Sequence, residues 1–160
     1  MATPPAAEDL TRWHRWFAVD CNNRAWQLAE KPARTDAEND ELLNAAHAAA
    51  LHWNAIGTPL NHARATMLLA SAHAHCGDGQ LALRYARTSH DYFASNETPD
   101  WEIAFSHAVM AHAAAVSGNK RLHVEHYDAA RTAGTAIKDH EDKAIFDKSF
   151  ATIPAPQRDR

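Results

Sequence analysis

The sequence predicts an all-α protein built as an array of antiparallel helix pairs, with about seven helices in total. The first observation is an internal repeat, in which residues 63–86 align with residues 104–127 at a spacing of about 41 residues. Apolar, small and helix-ending residues coincide in this alignment, and that spacing is typical of stacked helix pairs. The second observation is composition. Alanine is abundant, and no alternating run rich in Val, Ile and Thr favours a strand.

The first two helices are separated by a proline. Apolar residues that return every three to four positions predict a helix over about residues 8–30. Pro32 ends this helix because proline cannot continue the backbone hydrogen bonding. Thr35 followed by Glu38 has the spacing of a capping box, and this predicts a second helix over about residues 36–55.

A compact junction then connects the second helix to the third. We expect Gly57 to adopt the left-handed conformation, Thr58 to cap the next helix and Pro59 to occupy its first position. Residues 98–99 repeat the Thr-Pro pair and predict the same arrangement. Gly-rich breaks and Asp or Asn caps divide the remainder into helices over about residues 59–75, 79–95, 99–117, 119–137 and 140–150.

Length and charge limit the domain organisation and the partners. The 160 residues favour one helical domain over 8–153, between a disordered start at 1–7 and a flexible, proline-broken tail at 154–160. The formal net charge is −4 and the basic residues are scattered, so we expect no nucleic-acid partner. No apolar run is long enough to cross a membrane and no secretory signal is evident, which favours a cytoplasmic location.

The repeated segment resembles the tetratricopeptide repeat (TPR). An alanine-rich helix is followed by a Gly-Asp break and a second helix with Ala, Leu and Tyr at the matching places. The residues that carry this resemblance are Leu69, Ala70, Gly77, Asp78, Ala82, Leu83 and Tyr85, echoed by Met110 and Ala111. The chain also resembles a group of short, uncharacterised bacterial TPR-like proteins, through residues 45–47, 52–53 and 57–61. These resemblances imply a right-handed superhelical stack and transfer no established activity.

In TPR-like arrays the first helix of each pair lines a concave groove, and the resemblance implies which residues face it here. By register they are Trp26, Arg64, Met67, Ser71, His75, Phe105 and His112. The resemblance therefore implies a non-catalytic module that binds a protein or peptide. The mixture of side chains suits an extended peptide with apolar and acidic features. The Lys and Asn residues of a carboxylate clamp are absent, because Met67 and Ser71 hold the matching places.

A second interpretation places a polar pocket near the third helix. His47, His52, Asn61 and Arg64 lie around the tight junction and could bind a small ligand, which would suit a helical enzyme or a small-ligand-binding protein. The alternative is structural: Trp53 packs, while Asn61 and Arg64 stabilise the start of the third helix.

The twelve histidines offer few groupings that favour a metal ion. His107 and His112 are five residues apart, as are His47 and His52, which places each pair about 140° apart around a helix axis. His123 and the histidine three residues after it could share a helix face with nearby acidic residues, but no HExxH motif or acidic partner helix accompanies them. We therefore expect no metal site, no cofactor and no catalytic residue.

The first helix carries more large aromatic residues than one face can hold. Trp13, Trp16 and Phe17 are too close together to share a single buried side. Part of this set is therefore exposed or covers a neighbouring subunit, which predicts a homodimer through the first helix. The alternative is that the helix folds back over the stack as a cap.

Overall fold

A computed structural model describes residues 6–157 and contains seven α-helices in that range. No strand occurs among these residues. The all-α class and the number of helices are confirmed, and the helix ends lie close to the expected positions. In chain order the helices are α1 Ala7–Ala29, α2 Asp36–Ile56, α3 Pro59–His75, α4 Gly79–Ser95, α5 Asp100–Val116, α6 Lys120–Thr135 and α7 His140–Phe150.

Each helix packs against the next one in the chain, which gives an array of neighbouring pairs. The odd-numbered helices also contact one another, α1 with α3, α3 with α5 and α5 with α7. Within the described residues the even-numbered helices make no such contacts. The array is therefore curved, with the odd-numbered helices on its inner, concave side.

The internal repeat is visible in the backbone. Gly77 and Gly118 occupy equivalent places after α3 and α5, and their φ angles are 82° and 76°. This left-handed conformation favours glycine, which has no Cβ to clash with the following carbonyl. Asp78 and Asn119 follow them and cap α4 and α6 by accepting a hydrogen bond from a backbone N–H in the first turn. The two units thus share one helix-break-helix geometry.

Local hydrogen bonds set the starts of α2 and α3. Thr35 and Glu38 form the expected capping box, in which each side chain accepts a hydrogen bond from the other residue's backbone N–H. Thr58 and Asn61 form the same arrangement at α3, with Pro59 in the first turn. Both caps agree with the sequence prediction.

Two details of the junctions differ from expectation. Gly57 is extended, with φ −81° and ψ 165°. Glycine is needed there because the neighbouring backbone is very close: an added Cβ would lie 2.6 Å from the Trp53 carbonyl oxygen. Pro99 is the N-cap residue of α5 rather than its first helical residue, because its ψ of 142° is not helical. Thr98 therefore does not repeat the capping role of Thr58.

Small residues fill the inner layer. Ala70 of α3 and Ala111 of α5, which are equivalent in the repeat, are both fully buried. Alanine at these places allows neighbouring helices to approach closely, and larger side chains then fill the remaining space. Two clusters of buried apolar residues result, one around α1–α3 and a larger one that continues to α7.

A single guanidinium group connects the ends of three helices. Arg34, in the loop between α1 and α2, donates hydrogen bonds to backbone carbonyls at the C-terminal ends of α1 and α3. Unpaired carbonyls at helix ends need such donors. Its acceptors are the carbonyl oxygens of Leu28, Ala29, Lys31 and His75 and the side-chain oxygen of Asn39.

Helix α7 lies against the inner layer. Phe146 is almost fully buried, with its ring 5.3 Å from that of Phe105, centroid to centroid. Gly134 of α6 lies directly against it, and an added Cβ there would lie 2.1 Å from a ring carbon of Phe146. Lys148 pairs with Glu30 at 2.6 Å and connects α7 to α1. The last helix therefore forms one wall of the concave side.

The ends of the domain differ in part from the expected limits. Helix α1 already begins at Ala7, while residues 1–5 of the start expected to be disordered lie outside the described range. At the other end, His123 donates a hydrogen bond from Nε2 to the carbonyl oxygen of Pro154 at 2.8 Å. Residues 158–160 of the expected tail also lie outside the description. None of the described helices is long and apolar enough to cross a membrane.

Candidate functional site

The concave side contains a groove of about 420 Å³ between α1, α3, α5 and α7. Aromatic and aliphatic side chains form most of its wall, with polar groups among them. The apolar lining residues are Trp26, Met67, Trp101, Phe105 and Ile145, and the polar ones are Asn22, Glu30, Arg64, Asp142 and Ser149.

A smaller void of about 20 Å³ lies beside the groove and shares Trp26 and Phe105 with it. Ser71, His75 and His112 form part of its wall. A void of this size can hold one water molecule when polar groups are present to bind it. The hydroxyl and the two imidazoles supply such groups.

The structure places all seven residues of the expected groove on the concave side. Trp26, Arg64, Met67 and Phe105 line the groove, and the other three line the adjoining void. The sequence analysis missed Trp101, although it precedes Phe105 by one helical turn and this spacing could have indicated it. No local sequence signal indicates that α7 lines the groove, because its position depends on how the last helix packs.

A salt bridge at the groove joins a lining residue to a buried carboxylate. Arg64 donates a hydrogen bond from Nε to Oε1 of Glu102, whose side chain is 0 % exposed. The second carboxylate oxygen, Oε2, is buried and has no hydrogen-bond partner among the described residues. The guanidinium also lies over the Trp101 ring, 5.3 Å from its centroid, which is cation–π geometry. The side chain of Arg64 remains 38 % exposed, so its charge is only partly removed from solvent.

Aromatic rings form a continuous row along the groove wall. The ring centroids of Trp26 and Phe105 are 6.2 Å apart, and those of Trp101 and Phe105 are 5.8 Å apart. Both pairs have the edge-to-face geometry that aromatic rings prefer. Phe105 continues the row to Phe146 of α7. The row fixes the orientation of the two tryptophans that face the groove.

Two histidines behind the groove are uncharged at neutral pH. His75 and His112 lie edge to face, with ring centroids 4.6 Å apart. Burial, together with His112 and Arg34, lowers the pKa of His75 to about 3. Burial, with Arg34 and His123, lowers the pKa of His112 to about 4. The void therefore presents neutral imidazoles, which can donate and accept hydrogen bonds.

The four residues of the alternative pocket take part in separate contacts. His47 contacts a histidine of α3 at 3.2 Å, and His52 contacts one of α1 at 2.8 Å. Asn61 forms the capping box of α3, and Arg64 pairs with Glu102 on the concave side. The structure thus divides these residues between different faces and interfaces.

Histidines meet one another at several helix interfaces. Beside the pairs already described, His90, His107 and His126 form a group of three that spans α4, α5 and α6. Burial lowers the pKa of all three, in the case of His107 to about 4. Spacing within one helix could not reveal this group, since each member lies on a different helix. It is the part of the described structure that could hold a metal ion.

The N-terminal part of α1 exposes aromatic surface. Trp13 and Trp16 are 49 % and 54 % exposed, and Phe17 is 39 % exposed. Phe17 stacks on His52 of α2 at 5.3 Å, centroid to centroid. One side of this aromatic set therefore packs on α2 while the two tryptophans face solvent in the single chain.

Fold and site together define an all-α array of helix pairs with an aromatic groove on its concave side. In comparisons with known proteins, no family model, no curated protein and no solved structure matches the chain. The contacts of the groove therefore provide the basis for a functional proposal.

Proposed function

We propose that the protein is a non-catalytic module, located in the cytoplasm, that binds a peptide segment of a partner protein in the concave groove. The proposal includes its assignment as a TPR-like array with a right-handed superhelical stack. The observation that carries it is the row of aromatic rings at Trp26, Phe105 and Trp101. Rigid aromatic side chains in a concave surface bury a large area at low conformational cost, which favours binding.

The polar groups of the groove are largely paired, and this bears on the chemistry of the peptide. Glu102 neutralises Arg64, and Lys148 neutralises Glu30. An acidic group on the peptide would have to compete with Glu102 for the guanidinium. We therefore propose that apolar contacts dominate, rather than the acidic contacts that Arg64 alone suggests.

The alternative of a helical enzyme or small-ligand-binding protein depends on His47, His52, Asn61 and Arg64. All four side chains already have structural partners that account for their positions: a histidine for each of His47 and His52, a helix cap for Asn61 and a buried carboxylate for Arg64. The groove combines a row of aromatic rings with apolar surface that still faces solvent, including Ile145 at 55 % exposure. The aromatic row favours the groove.

The test uses a groove residue that does not support the fold. Phe105 is buried and Arg64 holds a buried carboxylate, so replacing either would also affect stability. Ile145 is exposed at the groove wall, and Ile145→Glu introduces a charge there. Leu51→Glu on α2 is the matched control, because Leu51 is 66 % exposed and does not line this groove.

Displayed random peptides are selected on the wild-type protein, and the affinity of the enriched peptides is measured by fluorescence anisotropy. We expect Ile145→Glu to weaken binding by at least about 10-fold, which corresponds to about 1.4 kcal/mol, and Leu51→Glu to leave it unchanged. No enriched peptide, or equal affinity for the two variants, would contradict the proposal.

Self-association through α1 is a further part of the proposal, since Trp13 and Trp16 face solvent in the single chain. A second copy that covers them would bury apolar surface. Sedimentation velocity should show a dimer for the wild type and a monomer for Trp13→Glu/Trp16→Glu. A wild-type protein that stays monomeric at high concentration would exclude this interface.

A further inference from the structure

Three histidines from consecutive helices converge at a point outside the groove. His90 of α4, His107 of α5 and His126 of α6 each bring a ring nitrogen within 4.8 Å of the other two. The ring centroids are 4.5 Å apart for the first two, 5.0 Å for the last two and 5.1 Å for the remaining pair. No other group of three His, Cys, Asp or Glu side chains within residues 6–157 has this proximity.

Two of the three rings have their Nδ1 atoms at nearly the distance that separates two ligands of one metal ion. Nδ1 of His107 and Nδ1 of His126 are 3.0 Å apart. Between two neutral imidazoles at this distance, one N–H donates to the lone pair of the other nitrogen. Two nitrogen ligands of a tetrahedral Zn²⁺ ion, each about 2.0–2.1 Å from the metal, are about 3.3 Å apart. When an ion binds both Nδ1 atoms, the ring that donated carries its proton on Nε2 instead, and the Nδ1–Nδ1 distance changes by only about 0.3 Å.

The third ring is oriented by a buried hydroxyl group. Ser106 is 1 % exposed and donates its single hydroxyl hydrogen to the carbonyl oxygen of Ile103, at 2.9 Å. Its oxygen therefore accepts the hydrogen bond from Nδ1–H of His90, at 3.0 Å. This contact fixes the tautomer of His90 in which Nε2 carries the lone pair. Metal-binding histidines in proteins commonly donate their other N–H to such a partner.

Two carboxylates lie close to the proposed ligands. Asp91 follows His90 in α4 and interacts electrostatically with it, and Glu125 precedes His126 in α6 and does the same there. These two carboxylates supply negative potential near the site, which favours a cation.

We propose that His90, His107 and His126 bind one divalent first-row transition-metal ion, for which Zn²⁺ is the best match to three imidazole ligands. A water molecule occupies the fourth position, since His90 and His107 are only half-buried. The ion links α4, α5 and α6 through their side chains. This site is independent of the peptide groove. It differs from the expectation from sequence spacing, which was that the chain has no metal site.

The experiment uses the full chain without an affinity tag, after removal of metal with a chelator. Co²⁺ is titrated in and followed by its visible absorption, which is strong for four-coordinate Co²⁺, and Zn²⁺ is then added as a competitor. We expect one equivalent of Co²⁺ to bind and Zn²⁺ to displace it. His90→Gln and His107→Gln should each weaken binding about 100-fold or more, and Ser106→Ala about 10-fold, because it only orients a ligand.

His47→Gln is the matched control, because it removes one ring of a different histidine contact and should leave Co²⁺ binding unchanged. Circular dichroism of each metal-free variant verifies folding, and the half-buried His90 and His107 are replaced because replacing buried His126 would disturb the fold more. Zn²⁺ should also raise the thermal midpoint of the wild type and of His47→Gln but not that of His90→Gln. Binding that is absent, or equal in His90→Gln and His47→Gln, would overturn the proposal.

Discussion

Replacing Arg64 by Ala tests whether the groove depends on a buried ion pair. Glu102 lies in the first turn of α5 with a fully buried side chain, and one of its oxygens has no hydrogen-bond partner among the described residues. Arg64 supplies its counter-charge from α3. Arg64→Ala would leave the carboxylate buried without that partner.

The expected cost follows from the exposure of the two partners. Removing one member of a buried ion pair costs about 3–5 kcal/mol. Because the side chain of Arg64 is 38 % exposed, we take the lower end, about 3 kcal/mol. For a chain of this size each kcal/mol shifts the thermal midpoint by about 2–4 °C, so we expect a decrease of about 6–12 °C.

The assay is thermal unfolding followed by circular dichroism at neutral pH, with a second variant that removes both charges. Arg64→Met/Glu102→Leu replaces the pair by apolar side chains of similar volume and should stay within about 1 kcal/mol of the wild type. A decrease below about 2 °C for Arg64→Ala would refute the reasoning. So would a double variant that is as unstable as Arg64→Ala, because the cost would then not come from an unpaired charge.

Four further substitutions have expected outcomes. Ala111 is fully buried, so Ala111→Leu overpacks the inner layer and should cost about 1–3 kcal/mol in urea unfolding; an unchanged midpoint would contradict this packing. Arg34→Ala removes the donor to four backbone carbonyls and should cost about 2–4 kcal/mol in the same assay, which Arg34→Lys should recover only in part. Gly134→Ala places a Cβ 2.1 Å from an aromatic ring of α7 and should accelerate amide hydrogen exchange in α7; unchanged exchange would show that the ring moves aside at no cost. Burial lowers the pKa of His112 from 6.5 to about 4, so the unfolded chain binds this proton more readily and stability is lost as the pH falls from about 6.5 towards 4. His112→Gln should reduce the loss between pH 7 and pH 5 by about 1–2 kcal/mol relative to the wild type; equal pH profiles for the variant and the wild type would argue against it.

The starts and ends of the helices could be predicted because their signals are local. Thr35 and Thr58 bond to backbone groups three residues away, and Asp78 caps α4 in the same way. The two junctions that differed from the prediction depend on contacts and backbone angles that residue type alone does not specify. Gly57 is needed where α2 and α3 approach each other closely, and Pro99 takes the position before α5 rather than the first helical position that proline favours.

The residues of the groove could be placed on one side by the repeat register, since the period of an α-helix determines which side chains share a face. Their partners could not be predicted in the same way. Glu102 belongs to another helix than Arg64, and Ile145 reaches the groove only because α7 folds back over α5. Both depend on how the helices pack.

The histidines show most clearly the difference between what sequence spacing predicts and what helix packing determines. Within one helix, the pairs five residues apart cannot share a metal ion, and the pair three residues apart has no accompanying ligand motif; the sequence determines no more than that. His90, His107 and His126 lie at similar heights in neighbouring antiparallel helices, so their rings meet when α4, α5 and α6 pack. By itself, the sequence determined the helices, their caps and the repeat, because those depend on backbone hydrogen bonds between residues a few positions apart. Only the tertiary structure decided the buried ion pair, the wall formed by α7 and the histidine group, because side chains distant in sequence meet there through packing.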